Sequence, residues 1–309
     1  MTFSVTIPTY KNQFLKEAID SVLAQSWRDF ELIIVNDASP YDIDAVVSQY
    51  DDSRIRYFKN ERNCGAKNVV DNWNICLSYA QGDYLMCIGD DDRLKPNCLQ
   101  DFADAIGRYP EVELFHAGTE VIDDRSVLVR TLELRPERES VYDLIADTQG
   151  SGLGSYLFKT ATLRQNGGFY RLPYGWSSDF ITAYMAARNH GLVNVQTAGF
   201  QYRGNSQSIS YDMSGVEDKI ASILHYKNWI RNFLDAARPT DSGDVATRKR
   251  ILSTLDRNIS RNIDGLVEFD IRKNKFRRGL HWLARRHAYG ISWQRYVKCV
   301  LNSIRYSLR

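Results

Sequence analysis

The chain has 309 residues, of which 43% are hydrophobic and 25% charged, and it carries a formal net charge of +2 at pH 7. This composition is typical of an ordinary soluble globular protein with one large domain or two smaller ones. No segment reaches the roughly 20 apolar residues that span a bilayer, so the sequence excludes a membrane-spanning helix.

Cysteine usage and the N-terminal residues indicate an intracellular protein. The five cysteines are an odd number and lack the close spacing of zinc ligands. The first apolar run stops at Pro8, too early for the h-region of a signal peptide. We therefore expect free thiols in a reducing cytoplasm.

The first part of the chain, from residue 3 to about 119, alternates short apolar runs with helical periodicity, which predicts βαβ units around a parallel sheet. The predicted helices cover the segment around Leu15–Leu23 and the ranges 42–50, 66–80 and 97–108. The predicted strands are Phe3–Ile7, Phe30–Val35, Arg54–Phe58, Asp83–Ile88 and Val112–Ala117.

Residues 120–214 are less regular, with a hairpin predicted near 120–133 and a helix from about 178 to 190. From 215 onward the pattern is helical, so we expect one domain over 1–214 and a helical region over 215–309. Residues 245–309 carry 16 Lys or Arg against four acids, which leaves a net charge of −10 in the first 244. Such a basic region is either a solvated helical face or a surface for anionic lipid, nucleic acid or an acidic partner.

Polar and acidic residues follow three of the predicted strands. Ligands of open α/β sheets bind outside the carboxyl ends of the strands, so these residues are the first place to look for chemistry. They are Pro8-Thr9-Tyr10, Asn36-Asp37-Ala38-Ser39 and Gly89-Asp90-Asp91-Asp92.

The triplet Asp90-Asp91-Asp92 is the sharpest of these features, because three adjacent carboxylates repel each other unless a cation neutralises them. Mg²⁺ and Mn²⁺ prefer such oxygen ligands and complete their shell with water and substrate phosphates. Asp37, after the second strand, is placed to accept hydrogen bonds from a ribose or a base. The alternatives are an acidic turn for the triplet and an ordinary turn residue for Asp37.

Taken together, these motifs are similar to those of a known protein family. The chain resembles, in order and spacing, the nucleotide-binding half of the family 2 glycosyltransferases, and it also resembles their acceptor-side motif; the resemblance covers roughly residues 3–211. The matching segments are Ile7-Pro8-Thr9-Tyr10, Val35-Asn36-Asp37-Ala38-Ser39, Asn63-Cys64-Gly65, Gly82-Asp83-Tyr84, Asp90-Asp91-Asp92 before Pro96, Gly167-Gly168-Phe169 and Tyr174-Gly175-Trp176-Ser177-Ser178-Asp179.

The resemblance implies an α/β fold of the GT-A type, with a mainly parallel central sheet followed by the C-terminal helical region. It implies a donor-binding half over about 1–119 and an acceptor half over 120–214. It also implies a nucleotide-diphospho-sugar donor, expected to be a UDP-sugar, a Mn²⁺ or Mg²⁺ ion, and inversion at the anomeric carbon.

The resemblance also assigns the donor site residue by residue. Pro8, Thr9, Tyr10 and Asp37 would line the base and ribose pocket, Asp90 would face the ribose, and Asp91 together with Asp92 would hold the metal. In the common family pattern a small residue separates the acids, whereas here they are contiguous and Gly89 takes the earlier acidic position. Which of the acids binds the metal therefore stays open.

Two cations are further candidates for the donor phosphates. Lys67 follows Gly65, where many relatives place an arginine, and its alternative is a surface lysine. Arg203 opens a segment that resembles a loop closing over the donor, where it would neutralise the diphosphate. Its alternative is a surface arginine in a salt bridge.

On the acceptor side the resemblance makes Asp179 the general base. Inverting transfer needs one carboxylate to take the proton of the acceptor hydroxyl as the oxygen attacks. Asp179 lies at a predicted helix start, which favours the ionised carboxylate, and its alternative is a helix-capping residue. The neighbouring Trp176 is placed either to stack on a sugar ring of the acceptor or simply to pack.

The sequence therefore predicts an inverting, metal-dependent glycosyltransferase of bacterial surface polysaccharide or glycolipid biosynthesis, with a saccharide or lipid-linked acceptor. A sugar-phosphate nucleotidyltransferase would need a Gly-rich loop that is missing after Pro8, and a noncatalytic sugar-nucleotide-binding or scaffold protein would not need the acids. For residues 245–309 the expected partner is an anionic surface on the inner face of the cell membrane, with packing or a homo-oligomer as alternatives. No nucleic acid partner is expected.

Overall fold

A ten-stranded sheet organises the first of two units, Met1–Ser206, and helices form the second, Gln207–Arg309. The computed structural model describes residues 1–147, 152–204, 214–236, 239 and 241–305. The strands of the first unit are β1 (Phe3–Thr9), β2 (Phe30–Asn36), β3 (Ile55–Lys59), β4 (Tyr84–Cys87), β5 (Arg93–Leu94), β6 (Leu114–Ile122), β7 (Leu128–Thr131), β8 (Arg138–Glu139), β9 (Tyr156–Lys159) and β10 (Leu192–Arg203).

The sheet is mainly parallel. Its main path runs β3-β2-β1-β4-β9-β6-β10-β5, while β7 pairs with β6 and β8 with β10. Only β9 and β5 run against the other strands of this path. The predicted fold class is thus confirmed, and the carboxyl ends of β1, β2 and β4 meet along one edge.

Seven helices of the described residues lie in the first unit and cover the sheet. They are α1 (Leu15–Leu23), α2 (Ile43–Val47), α3 (Val69–Tyr79), α4 (Cys98–Arg108), α5 (Val141–Ala146), α6 (Thr160–Gln165) and α7 (Ser178–Ala186). The three- and four-residue spacing that predicted α1 is the spacing of its buried side chains, Leu15, Ala18, Ile19 and Val22. With α4 and the strands beside it, α1 encloses one hydrophobic core.

The second unit contains α8 (Val216–Ala236), α9 (Ser242–Lys273), α10 (Lys275–Arg285) and α11 (Trp293–Arg305). The long helix α9 contacts the other three. Trp282 of α10 is fully buried, and its indole Nε1 donates to Asp270 Oδ2 at 2.8 Å. None of the helices in the described part of the chain is long and apolar enough to cross a bilayer.

The predicted end of the catalytic domain at residue 214 stays a prediction. The division into two compact units does not by itself show which residues take part in catalysis. Residues 205–213, which include most of the loop expected to close over the donor, lie outside the described residues.

Candidate functional site

Asp90, which follows β4, connects the carboxyl end of this strand to the end of β1. Its Oδ2 accepts hydrogen bonds from the backbone N–H of Tyr10 and of Lys11, each at 2.8 Å, and from the Thr9 hydroxyl at 3.2 Å. Burial, reinforced by the charge of Asp91, raises the pKa of Asp90 to about 6. The donors that surround this carboxylate therefore hold the turn after β1 against the acidic triplet.

Asp37 extends the same edge from the end of β2. It is buried, and its Oδ1 accepts from Asn60 Nδ2 and from the backbone N–H of Cys64, both at 2.9 Å. Its own N–H donates to the carbonyl of Thr9 at 2.9 Å. Asp37 therefore fixes the loop after β3 to the ends of β1 and β2.

Two exposed aromatic rings stand beside this carboxylate edge. Tyr10 is 41% exposed and Tyr41 49% exposed, and their rings meet edge to face with centroids 6.1 Å apart. Pro8, at the end of β1, is half-buried. An exposed ring at the carboxyl end of a parallel strand offers a surface on which a flat base can stack.

Asp92 is buried and faces into the protein. Its Oδ1 accepts from the backbone N–H of Arg203 at 3.0 Å, and its Oδ2 accepts from the N–H of Gly89 at 3.3 Å. Burial and the charges of Asp91 and Asp90 raise the pKa of Asp92 well above its usual range. Asp92 thus ties the acidic triplet to the end of β10.

The side chain of Arg203, a sequence candidate for the donor diphosphate, is held by contacts inside the protein. The guanidinium is fully buried and donates to the carbonyls of Asp91 (2.7 Å) and Asp123 (2.9 Å). It also donates to the hydroxyl of Ser126 and to the carboxylate of Glu17, both at 2.9 Å. An arginine used in this way holds the acidic triplet from behind, and its expected contact with the donor diphosphate stays a prediction.

Two further contacts complete the setting of Arg203. Its guanidinium lies over the ring of Phe14, 4.0 Å from the centroid. Burial tends to raise the pKa of Glu17, but the hydrogen bond from Ser126 and the charge of Arg203 lower it overall. The cation is therefore neutralised inside the protein.

Thr9, another sequence candidate for the donor pocket, is also held inside the protein. Its side chain is completely buried and its hydroxyl donates to Asp90. Thr9 therefore positions Asp90, and a direct contact with the donor stays a prediction.

The chemistry of the acidic triplet fits a divalent cation held by few protein ligands. No group of three or more His, Cys, Asp or Glu side chains converges among the described residues as a complete metal site. Asp91 is half-buried, while Asp90 and Asp92 are bonded to backbone N–H groups and have raised pKa values. A Mg²⁺ or Mn²⁺ ion would relieve the repulsion among these three carboxylates, and such an ion commonly needs only one or two carboxylate ligands.

Asp179 lies in the first turn of α7. Burial raises the pKa of its carboxyl to about 6, although a hydrogen bond from the N–H of Phe180 to Oδ1, at 2.9 Å, works in the opposite direction. Burial thus outweighs the helix terminus that the sequence indicated. Asp179 is still mainly ionised at pH 7, and its basicity is higher than that of an exposed aspartate.

The 167–177 loop, which leads into α7, is built on helix α3. Asn74 pairs with the backbone of Phe169, accepting from its N–H at 2.8 Å and donating to its carbonyl at 3.0 Å. The ring of Trp73 meets the ring of Phe169 edge to face with centroids 5.9 Å apart. Two glycines permit this contact, because a Cβ on Gly168 would lie 2.2 Å from Asn74 Oδ1 and one on Gly175 2.7 Å from the Trp73 ring.

The remaining candidates lie close to this loop. Lys67 is exposed in the 3₁₀ turn Ala66–Asn68, and this turn contacts the turn Pro173–Gly175 directly before Trp176. Trp176 is half-buried. Lys67 and Trp176 therefore stand on neighbouring turns, where a phosphate contact and a sugar contact remain proposals.

Comparison with known proteins identifies the segment that contains the acidic edge. Residues 4–144 match the model of "Glycosyl transferase family 2". Over this segment the chain is similar to glycosyltransferase family 2.

Curated members of the family align with parts of this chain. The putative colanic acid biosynthesis glycosyl transferase WcaA of Escherichia coli is 39% identical over 102 residues, which are 32% of this chain and 36% of that protein. The GalNAc(5)-diNAcBac-PP-undecaprenol beta-1,3-glucosyltransferase of Campylobacter jejuni is 38% identical over 99 residues, 31% of each. The matched segments span less than half the length of the curated relatives.

Solved structures extend the likeness over the whole chain. The crystal structure of S. aureus TarS 1-349 in complex with UDP-GlcNAc superposes with a TM-score of 0.59 at 17% sequence identity. The match covers 100% of this chain and 92% of that one. At this identity the likeness concerns the fold, which is of the GT-A type.

Sequence reasoning missed several residues that shape this candidate site. Asn60 follows β3 as Asp37 follows β2, so the rule that ligands bind at the carboxyl ends of strands would have found it. Asn74 and Glu17 gave no such signal, because their partners are far away in the sequence.

Proposed function

We propose that the protein transfers a sugar from a nucleotide-diphospho-sugar, expected to be a UDP-sugar, to a hydroxyl group of an acceptor, with inversion. We assign residues 1–214 to the catalytic domain. The observation that carries the proposal is the carboxylate edge of Asp37 and Asp90–Asp92, which lies inside the matched family segment. TarS, which shares the fold, is described in complex with UDP-GlcNAc, and this supports the choice of donor.

In the proposed reaction the acceptor oxygen attacks the anomeric carbon as the bond to the diphosphate oxygen breaks. Asp179 takes the proton of the acceptor hydroxyl, and the nucleoside diphosphate leaves with the bonding electron pair. A carboxyl with a pKa of about 6 suits this role, because it is ionised at neutral pH and still binds a proton better than an exposed aspartate. Trp176, on the loop that leads to Asp179, would contact the acceptor sugar.

On the donor side, Tyr10 would stack on the base, while Pro8 and Asp37 would border the base and ribose. Asp91 would hold a Mn²⁺ or Mg²⁺ ion, which when bound neutralises charge on the leaving diphosphate. We assign Asp92 to hold the triplet against the end of β10, since both its oxygens accept backbone hydrogen bonds.

The acceptor is proposed to be a saccharide, free or linked to a lipid, in bacterial surface polysaccharide or glycolipid biosynthesis. Of the two relatives described above, one is named for colanic acid biosynthesis and the other for a sugar chain on an undecaprenyl diphosphate lipid. A lipid-linked acceptor would place the enzyme at the inner face of the cell membrane.

The test is a screen of nucleotide-sugars for release of nucleoside diphosphate, with and without acceptor, in Mn²⁺, in Mg²⁺ and in EDTA. We expect a UDP-sugar to be turned over only with metal. Asp91→Asn and Asp179→Asn should each lower transfer at least about 100-fold, as is common for residues that act in the transition state.

The matched control is Asp51→Asn. Asp51 is exposed at the opposite, amino-terminal side of β3, so the same chemical change there should leave the rate unaltered. Full transfer activity in both Asp91→Asn and Asp179→Asn would show that the proposed mechanism is wrong.

A further inference from the structure

Helix α10 exposes large apolar side chains on one side. Phe276 is 79% exposed and Leu280, one turn later, is 52% exposed. Leu283 continues the same side and is half-exposed, whereas Gly279 and Trp282 face inward and are buried. Single exposed apolar residues are common on protein surfaces, but a row along one helix indicates a contact surface.

Exposed basic residues border this row. Lys275 and Arg277 flank Phe276, both are exposed, and neither takes part in an ion pair among the described residues. Arg278 and Arg285, on other sides of the helix, are paired with Asp270 and Glu217. The α10 face, which we define as Lys275, Phe276, Arg277, Leu280 and Leu283, thus combines apolar side chains with positive charge that forms no ion pair within the described part of the chain.

We propose that the α10 face binds an anionic lipid surface. A helix that lies in the membrane interface inserts its apolar side chains between the lipids, while Lys and Arg beside them contact the anionic headgroups. Residues 245–309 contain 16 Lys or Arg and only four acids, and this excess of positive charge adds long-range attraction to the same surface.

The properties of the α10 face argue against a second copy of this chain or a nucleic acid as its partner. In a symmetric contact between two copies of this chain, the α10 face would meet itself and bring Lys275 and Arg277 against their own equivalents. A nucleic acid would be attracted by the charge, but it offers no apolar layer in which Phe276 and Leu280 would be buried. A lipid surface uses both properties of the face.

The neighbouring helix α11 also exposes large apolar side chains. It contacts α10 and exposes Trp293, which is 57% exposed, and Leu301, which is 53% exposed. The guanidinium of Arg286 lies 5.5 Å from the centre of the Trp293 ring. Tryptophan with a basic partner is a frequent combination at membrane interfaces.

The test is co-sedimentation of the full-length chain with vesicles of phosphatidylglycerol mixed into phosphatidylcholine and with vesicles of pure phosphatidylcholine. No donor is present, so the outcome does not depend on the proposed reaction. We expect binding only to the anionic vesicles, with a strong decrease at about 1 M salt, where the screening length falls to about 3 Å.

Two double variants test the face, and each has a matched control. Phe276→Ser with Leu280→Ser is compared with Val127→Ser and Val129→Ser, which are 57% and 62% exposed in the first unit. Lys275→Glu with Arg277→Glu is compared with Lys249→Glu and Arg250→Glu, which are exposed in α9 and change the net charge equally.

We expect each variant of the α10 face to bind anionic vesicles at least about tenfold more weakly, and each control to change binding less than about threefold. All of these positions are exposed, and thermal melting would verify that the variants fold. Equal weakening by the α9 control would show that only overall charge matters. That result would overturn the proposal. The proposal would also be overturned by unchanged binding of the Phe276→Ser, Leu280→Ser variant, by equal binding to neutral vesicles, or by a lack of binding of the unaltered chain.

Discussion

Replacement of Asn74 by leucine, which has the same number and branching of side-chain heavy atoms, tests whether helix α3 positions the acceptor side of the site. The change removes both hydrogen bonds to the backbone of Phe169 and the one to the carbonyl of Val70, at 3.0 Å. The packing of Trp73 against Phe169 does not involve these bonds and remains. The 167–177 loop would then lose its polar attachment to α3 but keep its apolar one.

The magnitude follows from the two bonds to Phe169. Each contributes roughly 1 kcal/mol net, and leaving polar groups of a buried residue without partners adds to the loss. Phe169 is 1% exposed, so water does not replace the lost partner. Ordering the loop for reaction should therefore cost about 2–3 kcal/mol more, which corresponds to a transfer rate about 30- to 160-fold lower.

The assay compares kcat/KM for transfer with the rate of donor hydrolysis in the absence of acceptor. We expect Asn74→Leu to lower the first by the stated factor and to leave the second within about twofold, because the 167–177 loop bears Trp176 and leads to Asp179, the residues proposed for the acceptor side. Arg171→Ala is the matched control. It breaks an exposed ion pair to Asp71 that joins the same helix and loop, and such pairs contribute about 0–1 kcal/mol. Equal loss of hydrolysis and transfer would refute the reasoning.

Three further predictions concern the same site. Ionised Asp179 is the proposed base, and burial raises its pKa to about 6, so kcat/KM should rise with pH up to about 6 and level off above it, and Asp179→Asn should remove this rise. Gly168→Ala forces a Cβ at φ +86° to within 2.2 Å of Asn74 Oδ1, so it should lower the free energy of unfolding by about 1–3 kcal/mol in denaturant titrations and impair transfer as Asn74→Leu does. Arg203→Met leaves the carbonyl of Asp91 without its donor, and it should lower the melting temperature and raise the Mn²⁺ concentration needed for half-maximal activity.

The first half of the fold could be predicted because its strands and helices have clear periods in the sequence. Asp37 and Asp90 could be placed on one edge for a related reason, since each directly follows a parallel strand and the carboxyl ends of parallel strands meet. Here local sequence determines location, and no long-range contact has to be known.

The role of Arg203 could not be predicted in this way. An arginine at the end of a strand looks the same in the sequence whether it faces a ligand or the interior. What decides is the presence of Glu17 and Ser126, which are separated from it by 186 and 77 residues. For Asp179 the sequence showed the helix start, but the burial that raises its pKa depends on how the whole loop packs.

The joining of α3 to the 167–177 loop has a consequence for protein engineering. Exchanges of acceptor specificity between relatives are naturally designed as chimeras, with a junction between the donor-binding and acceptor halves. Any junction between residues 80 and 166 would take Asn74 from one parent and Gly168-Phe169 from the other. A functional chimera should therefore carry the Trp73-Asn74 pair together with the loop that it supports, even though the two are distant in sequence.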